Sequence, residues 1–168
     1  MQDEFMATMN TQEMITSESK FLTFRLGTEE YGIPVEYVVE IIGIQPITSL
    51  PEVPSYIKGV INLRGKVIPV IDVRIRFEMQ ERKYDDRTCI IVVSIEEMLV
   101  GLIVDTVKEV IDIPDTWIEP PPRVQKEKSL QFVMALAKVE DSVKIILNVY
   151  KVVFSQEIRT LQKTALVS

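Results

Sequence analysis

The chain has 168 residues, 46% hydrophobic and 26% charged, with a formal net charge of −6. That bounds it to one large domain or two small ones around a packed core. It also argues against a nucleic-acid partner, whose phosphates need a basic footprint. There is no histidine and one cysteine, Cys89. These counts exclude histidine-based acid–base catalysis, Ser-His triads, histidine phosphotransfer, His-ligated metals, Cys-rich zinc sites and intrachain disulfides. They suit a reducing cytoplasm.

Residues 1–19, MQDEFMATMNTQEMITSES, lack the apolar stretch and basic start of a signal peptide. Their four methionines have no steady helical spacing, so the segment reads as a flexible tail. No run of about 18 apolar residues follows anywhere, and no direct membrane insertion is expected. Short runs rich in Val, Ile and aromatic residues come next, as half-buried strands prefer. They are KFLTFRL (20–26), a turn at Gly27-Thr28, YGIPV (31–35) and VVEII (38–42).

After a Pro-bearing arc, KGVINLR (58–64) and KVIPVID (66–72) form a hairpin joined at Arg64-Gly65. Alternation puts Val60, Asn62 and Arg64 on one face and Ile61 and Leu63 on the other, toward a core. Gly65 supplies the positive φ of a tight turn. Pro69 cannot donate to a ladder, which predicts an edge or bulge there. Asp72 is placed to N-cap a helical turn in VRIRF, and the basic stretch from Arg74 to Lys83 reads as solvated surface.

RTCIIVVS (87–94) holds Cys89 as a small buried hydrophobe. MLVGLIV (98–104), KEVIDI (108–113), LQFVMALAKV (130–139) and SVKIILNV (142–149) complete the strands. Beyond them Phe154, Ile158, Leu161 and Ala165 fall at i, i+4, i+7 and i+11. That stripe predicts a C-terminal helix over 150–168, packing on the rest.

The two halves repeat. YGIPVEYVVEII (31–42) aligns without gaps on VGLIVDTVKEVI (100–111), matching Gly32 with Gly101, Val38 with Val107 and Glu40 with Glu109. Later, VIPVIDV (67–73) aligns on VKIILNV (143–149). The offsets are 69 and 76 residues, so the second half carries seven extra residues between the matches. Two matches in the same order indicate duplication. Sheets this small are best stabilised by closing into barrels, which removes exposed edges. The expected fold is all-β, two five-stranded SH3-like β-barrels over 20–82 and 83–149.

An enzyme reading finds little support. The carboxylate pairs Glu29-Glu30, Asp85-Asp86 and Glu96-Glu97 sit where turns are expected. No Gly-rich phosphate loop and no nucleophile with a base partner appear, and no cofactor or metal is implied. Locally, Arg64 reads as a solvated turn residue and Glu40 as a polar residue on an outer strand face. The hairpin alone leaves its purpose open.

KGVINLRGKVIPVIDVR, preceded by LPEVPSYI and EEYGIPVEYVVEII, resembles the CheW family of bacterial chemotaxis coupling proteins over nearly all of residues 20–155. The resemblance implies a non-enzymatic adaptor with two SH3-like barrels. Its implied partners are the cytoplasmic tips of methyl-accepting chemoreceptors, the regulatory domain of the histidine kinase CheA, and further copies of itself in rings. The implied location is the cytoplasm, at receptor arrays. The family's sensitive glutamate falls on Glu40 and its sensitive arginine on Arg64, with Val38 on the same strand face as Glu40. By the repeat, Val107 and Val110 are expected to line the groove between the barrels. Many relatives carry a basic or polar residue where this chain has the apolar Ile41-Ile42-Gly43, a departure that bears on receptor preference. The alternative is another peptide- or protein-binding double-barrel scaffold unrelated to chemotaxis.

Overall fold

A computed structural model describes residues 20–121 and 131–154. The first half gives β1 (Lys20–Leu26), β2 (Glu29–Pro34), β3 (Val38–Gly43), β4 (Ile57–Leu63), β5 (Lys66–Asp72) and a short helix α1 (Val73–Arg76). The second gives β6 (Cys89–Ile95), β7 (Met98–Val104), β8 (Thr106–Asp112), the two-residue β9 (Ile118–Glu119), β10 (Val133–Val139), β11 (Ser142–Leu147) and α2 (Val149–Val153). Every predicted strand is present. The fold is all-β, a double SH3-like barrel.

The sheets do not follow the expected boundary between residues 82 and 83. One sheet has the order β3-β6-β7-β5-β4, the other β8-β1-β2-β11-β10-β9. Each half has therefore given its first hairpin to the other half's sheet. One barrel is contiguous, over 38–104; the other is split, joining 20–34 to 106–147. The linkers explain the exchange. Only Asp105 separates β7 from β8, and a reversal within one sheet needs at least a two-residue turn. The chain passes on into the neighbouring sheet instead. Between β2 and β3 the three-residue turn Val35–Tyr37, entered from Pro34, does the same.

The repeat is visible throughout. β5 runs parallel to β7, as β11 does to β2. Asp72 caps α1 by accepting from the Ile75 N–H at 3.2 Å, and Asn148 caps α2 by accepting from the Lys151 N–H at 3.1 Å. Gly32 and Gly101 sit where the parallel strands meet. A Cβ on Gly101 would come within 2.7 Å of Ile90 Cγ2 and 2.8 Å of Val70 Cγ1, and both neighbours are stiff β-branched side chains. Gly101→Ala is expected to cost roughly 2 kcal/mol through overpacking, read as a Tm lower by about 5 °C or more. Gly43→Ala, which meets nothing within 4 Å, should leave Tm unchanged, and thermal unfolding of the two variants checks the difference.

Each barrel has a small core of its own. Ile61, Ile68, Val70, Ile90, Val92 and Ile103 fill the contiguous one; Phe21, Ile113, Ala135, Ala137 and Ile146 fill the split one. The largest cluster lies between them and draws on both sheets, including Leu22, Phe24 and Ile33 from one side and Ile71, Ile91 and Leu102 from the other. Aromatic rings run through it from Phe24 to Tyr31, Phe77 and Phe132, with centroids 5.0–5.9 Å apart. The two barrels share their main core.

Three local expectations need correction. β5 is flanked on both sides, so Pro69 is not on an edge strand; pairing with β7 begins only at Val70, leaving Pro69 outside that ladder. Cys89 is half-buried rather than enclosed, although it packs against the shared core. The basic stretch is only partly solvated. Arg82 and Lys83 are exposed, whereas Arg74 and Arg76 are drawn into contacts between the halves. Of the predicted C-terminal helix, α2 is described and Phe154 follows it directly; Ile158, Leu161 and Ala165 lie outside the described residues, as do residues 1–19.

Asp105, at the β7–β8 crossing, binds the halves together. Its carboxylate accepts from Arg74 Nε and Nη2 at 2.7 and 2.6 Å, from the Gly27 N–H at 2.7 Å and from Arg82 Nη1 at 3.0 Å. Gly27 belongs to the β1–β2 turn of the split barrel, and Arg74 to α1 behind the contiguous one. Burial pushes the Asp105 carboxyl up. The hydrogen bonds from Arg74 and Gly27, with the charges of Arg74 and Arg82, outweigh burial and hold it below the usual carboxylate range.

Candidate partner-binding site

The hairpin between β4 and β5 turns through Arg64 (φ 52°) and Gly65 (φ 85°), with Leu63 opposite Lys66. Two successive left-handed residues make the tight turn that matches strand twist. Arginine is a costly choice at such a position. Asn62 Oδ1 supports the turn by accepting from the Gly65 N–H at 2.9 Å. Ile61 and Leu63 face the contiguous barrel's core and Asn62 is exposed, as alternation predicts.

Arg64 has a partner that sequence pattern did not give it. Its Nη1 donates to Glu40 Oε1 at 2.6 Å and its Nη2 to Oε2 at 2.7 Å. This is a two-pronged guanidinium–carboxylate pair, the strongest geometry such groups make. β3 and β4 lie at opposite ends of their sheet, so the pair ties its two edges together. The Arg64 side chain remains 72% exposed and that of Glu40 22%. The pair is thus on the surface, with the Arg64 side chain open to a partner. Hydrogen bonds from Arg64 hold the Glu40 carboxyl below its usual range, and Glu40 in turn makes Arg64 harder to deprotonate.

The split barrel has no such pair at the equivalent place. The repeat sets Glu109 where Glu40 stands and Glu140 (φ 56°) where Arg64 stands. Both glutamates are exposed. The duplicated halves share a backbone here but not a chemistry.

The three valines take two kinds of place. Val38 and Val107, repeat counterparts, are half-buried and pack against the shared core. Val110 is 53% exposed and lies opposite Leu22 of that core. Directly opposed residues share a sheet face, so Val110 stands at the core's margin. Its counterpart is Ile41, 42% exposed and opposite the core residue Ile91; the sequence reasoning noted Ile41 in the apolar departure after Glu40 but did not pair it with Val110. The repeat offset itself was the signal that points to it. Of the apolar departure after Glu40, Ile42 packs against the contiguous barrel's core, while Ile41 stands partly exposed at the margin of the shared core.

Nothing in this surface resembles a reaction centre. Glu96-Glu97 forms the β6–β7 turn with both residues at positive φ, and Asp85 accepts backbone N–H groups in its own loop. Glu30, by contrast, lies in β2, ion-paired with Lys144 and Arg25. Among the described residues no cluster could hold a metal ion and no helix is long and apolar enough to cross a membrane.

Comparison with known proteins agrees with this fold. The family model for the CheW-like domain matches residues 20–157. The chain is 33% identical over 160 residues to the chemotaxis protein CheW of Klebsiella aerogenes, covering 95% of this chain and 96% of that one. It is 42% identical over 118 residues to the chemotaxis protein CheW of Bacillus subtilis, covering 70% and 75%. The crystal structure of the scaffolding protein TtCheW from Thermoanaerobacter tengcongensis superposes with a TM-score of 0.76 at 40% identity. That match covers 83% of this chain and 95% of that one.

Proposed function

We propose that this chain, which belongs to the CheW family of chemotaxis scaffold proteins, couples chemoreceptors to the histidine kinase CheA as an adaptor without enzymatic activity of its own. In this reading it works in the cytoplasm and reaches the membrane only through its partners. Its surface partners are the cytoplasmic tips of methyl-accepting receptors, the CheA regulatory domain and, in rings, further copies of itself. Alternating head-to-tail contacts of that kind close into rings when the rotation permits.

The observation that carries the reading is the exposed Glu40–Arg64 pair. The two residues at which the family is functionally sensitive meet in space and close one barrel. Val38 lies on the same strand as Glu40 but not on the face alternation predicts. The register shift between Val38 and Glu40 sets Val38 opposite Val93 on the shared-core side and Glu40 opposite Val92. Val107 and Val110 supply the corresponding strand of the other barrel. A guanidinium fork at a protein surface suits recognition of carboxylates and carbonyls.

The test is reconstitution. Purified chain, CheA and a receptor cytoplasmic fragment are mixed singly and together, and CheA autophosphorylation is followed. Kinase control is expected only with all three present, and the chain alone should neither hydrolyse ATP nor carry phosphate. A chain that binds neither CheA nor receptor, or that turns over ATP, overturns the proposal.

A further inference from the structure

Arg76, the last residue of α1, makes contacts that its sequence position did not suggest. Its Nε donates to the Val152 carbonyl at 3.1 Å and its Nη2 to the Lys151 carbonyl at 3.2 Å. Both carbonyls belong to the last turn of α2, whose C-terminal acceptors have no partner within the helix. The guanidinium carbon also lies 4.3 Å from the Tyr56 ring centroid and 4.9 Å from that of Phe132, within the range of cation–π attraction. Tyr56 precedes β4 of the contiguous barrel, and Phe132 precedes β10 of the split one. One guanidinium therefore joins Tyr56 on one side to Phe132 and α2 on the other.

The surroundings make this contact weigh more. A cavity of about 260 Å³ opens beside Arg76, lined by Ser55, Tyr56 and Glu78 from one half and Gln131 and Phe132 from the other. Phe77 and Phe132, which also line the cavity, stack across the halves with centroids 5.0 Å apart. Arg76 adds a polar tie across the open space beside that stacked pair, so its removal leaves the aromatic contact alone to hold the halves at this edge. None of its contacts is with Glu40, Arg64, Val107 or Val110.

We propose that Arg76 is a positioning residue that fixes the angle between the two barrels, and with it the groove flanked by Val38 of one and Val107 and Val110 of the other. The inference rests on the adaptor reading. A partner that needs both barrels, the receptor tip in that reading, feels a change in the angle. A partner that docks on one barrel alone, barrel against opposite barrel as the family resemblance implies for the CheA regulatory domain, does not.

The experiment measures two affinities for each of three proteins: the unaltered chain, Arg76→Met and Arg76→Lys. The probes are a receptor cytoplasmic fragment and the isolated CheA regulatory domain, titrated well below each variant's Tm. Arg76→Met keeps an apolar stem and loses the donors; it is expected to weaken receptor binding about tenfold and to leave CheA affinity within about twofold. Arg76→Lys, which keeps the charge without the planar fork, should fall between, and it serves as the readout if the methionine variant does not fold. Equal losses for both probes, or no loss for either, overturn the positioning role, because a merely structural residue would not separate them. If the unaltered chain binds neither probe, the adaptor reading fails and this inference fails with it.

Discussion

Asp105→Ala is expected to lower stability by about 3 kcal/mol, the range for removing one partner of a largely buried ion pair. The Asp105 side chain is 7% exposed and that of Arg74 14%, so truncation strands a guanidinium with little access to water. It also takes away the acceptor of the Gly27 N–H and of Arg82. Because Gly27 and Arg74 lie on different barrels, the loss falls on the joint between them. In thermal unfolding the deficit should appear as a Tm lower by about 10 °C. An Asp105→Ala protein that melts with the unaltered chain would remove Asp105 from the account of how the halves are joined.

The same carboxylate gives a pH dependence of known sign. Its folded-state pKa lies below the ordinary carboxylate value. The unfolded chain therefore takes up the proton first as pH falls, and the stabilisation is complete above about pH 4, the unfolded value. It is lost progressively below that, as pH falls through the folded-state pKa. Asp105→Asn cannot titrate, so its Tm should change less than that of the unaltered chain between pH 5 and 3. Parallel Tm–pH curves would mean that other carboxylates carry the acid response.

What the sequence made legible follows from which interactions are local. Strand positions were readable because enrichment in β-branched and aromatic residues is a property of seven consecutive positions, as in Lys20–Leu26 and Cys89–Ile95. The Asp72 cap was readable because donor and acceptor are three residues apart. The exchange of hairpins was not. Nothing within Val38–Gly43 says whether the strand pairs with its predecessor β2 or with β6; the linker too short to reverse stands at the repeat-equivalent step, where only Asp105 separates β7 from β8. Glu40 and Arg64 were each marked by family likeness, yet their contact exists only because the sheet brings its two edges together. Arg76 looked like one charge in a basic run. Its value comes from α2, 75 residues away in the chain, and no local pattern announces that. Ile41 was within reach, since the repeat that flagged Val110 points to it equally.

Glu40→Lys is expected to weaken binding to a receptor fragment by about tenfold or more while sparing the CheA regulatory domain. Glu109→Lys, at the repeat-equivalent place in the split barrel, should do less to receptor binding. The Glu40–Arg64 contact complicates a plain reading, because a lysine at 40 also faces the Arg64 guanidinium and opens the tie between the sheet edges. Reversing the pair separates the two effects. The double substitution Glu40→Arg with Arg64→Glu can rebuild the two-pronged bond in the opposite sense. Backbone strain does not forbid it, since Glu140 already occupies the equivalent turn position at φ 56°. If the pair acts only by closing the barrel, the swap restores both melting temperature and receptor affinity. If the Glu40 carboxylate itself meets the partner, the swap restores melting and leaves receptor binding weak. The second result is the expected one, because Glu40 lies on the receptor-facing strand of the proposed surface. Charge reversal at an exposed site acts largely on the rate of encounter, so the deficit should shrink as salt rises from low to moderate concentration. Titrating each protein against each partner at both salt levels decides it. Equal receptor affinity for the unaltered chain and Glu40→Lys would remove Glu40 from the binding surface and leave Glu40 and Arg64 as a purely structural tie.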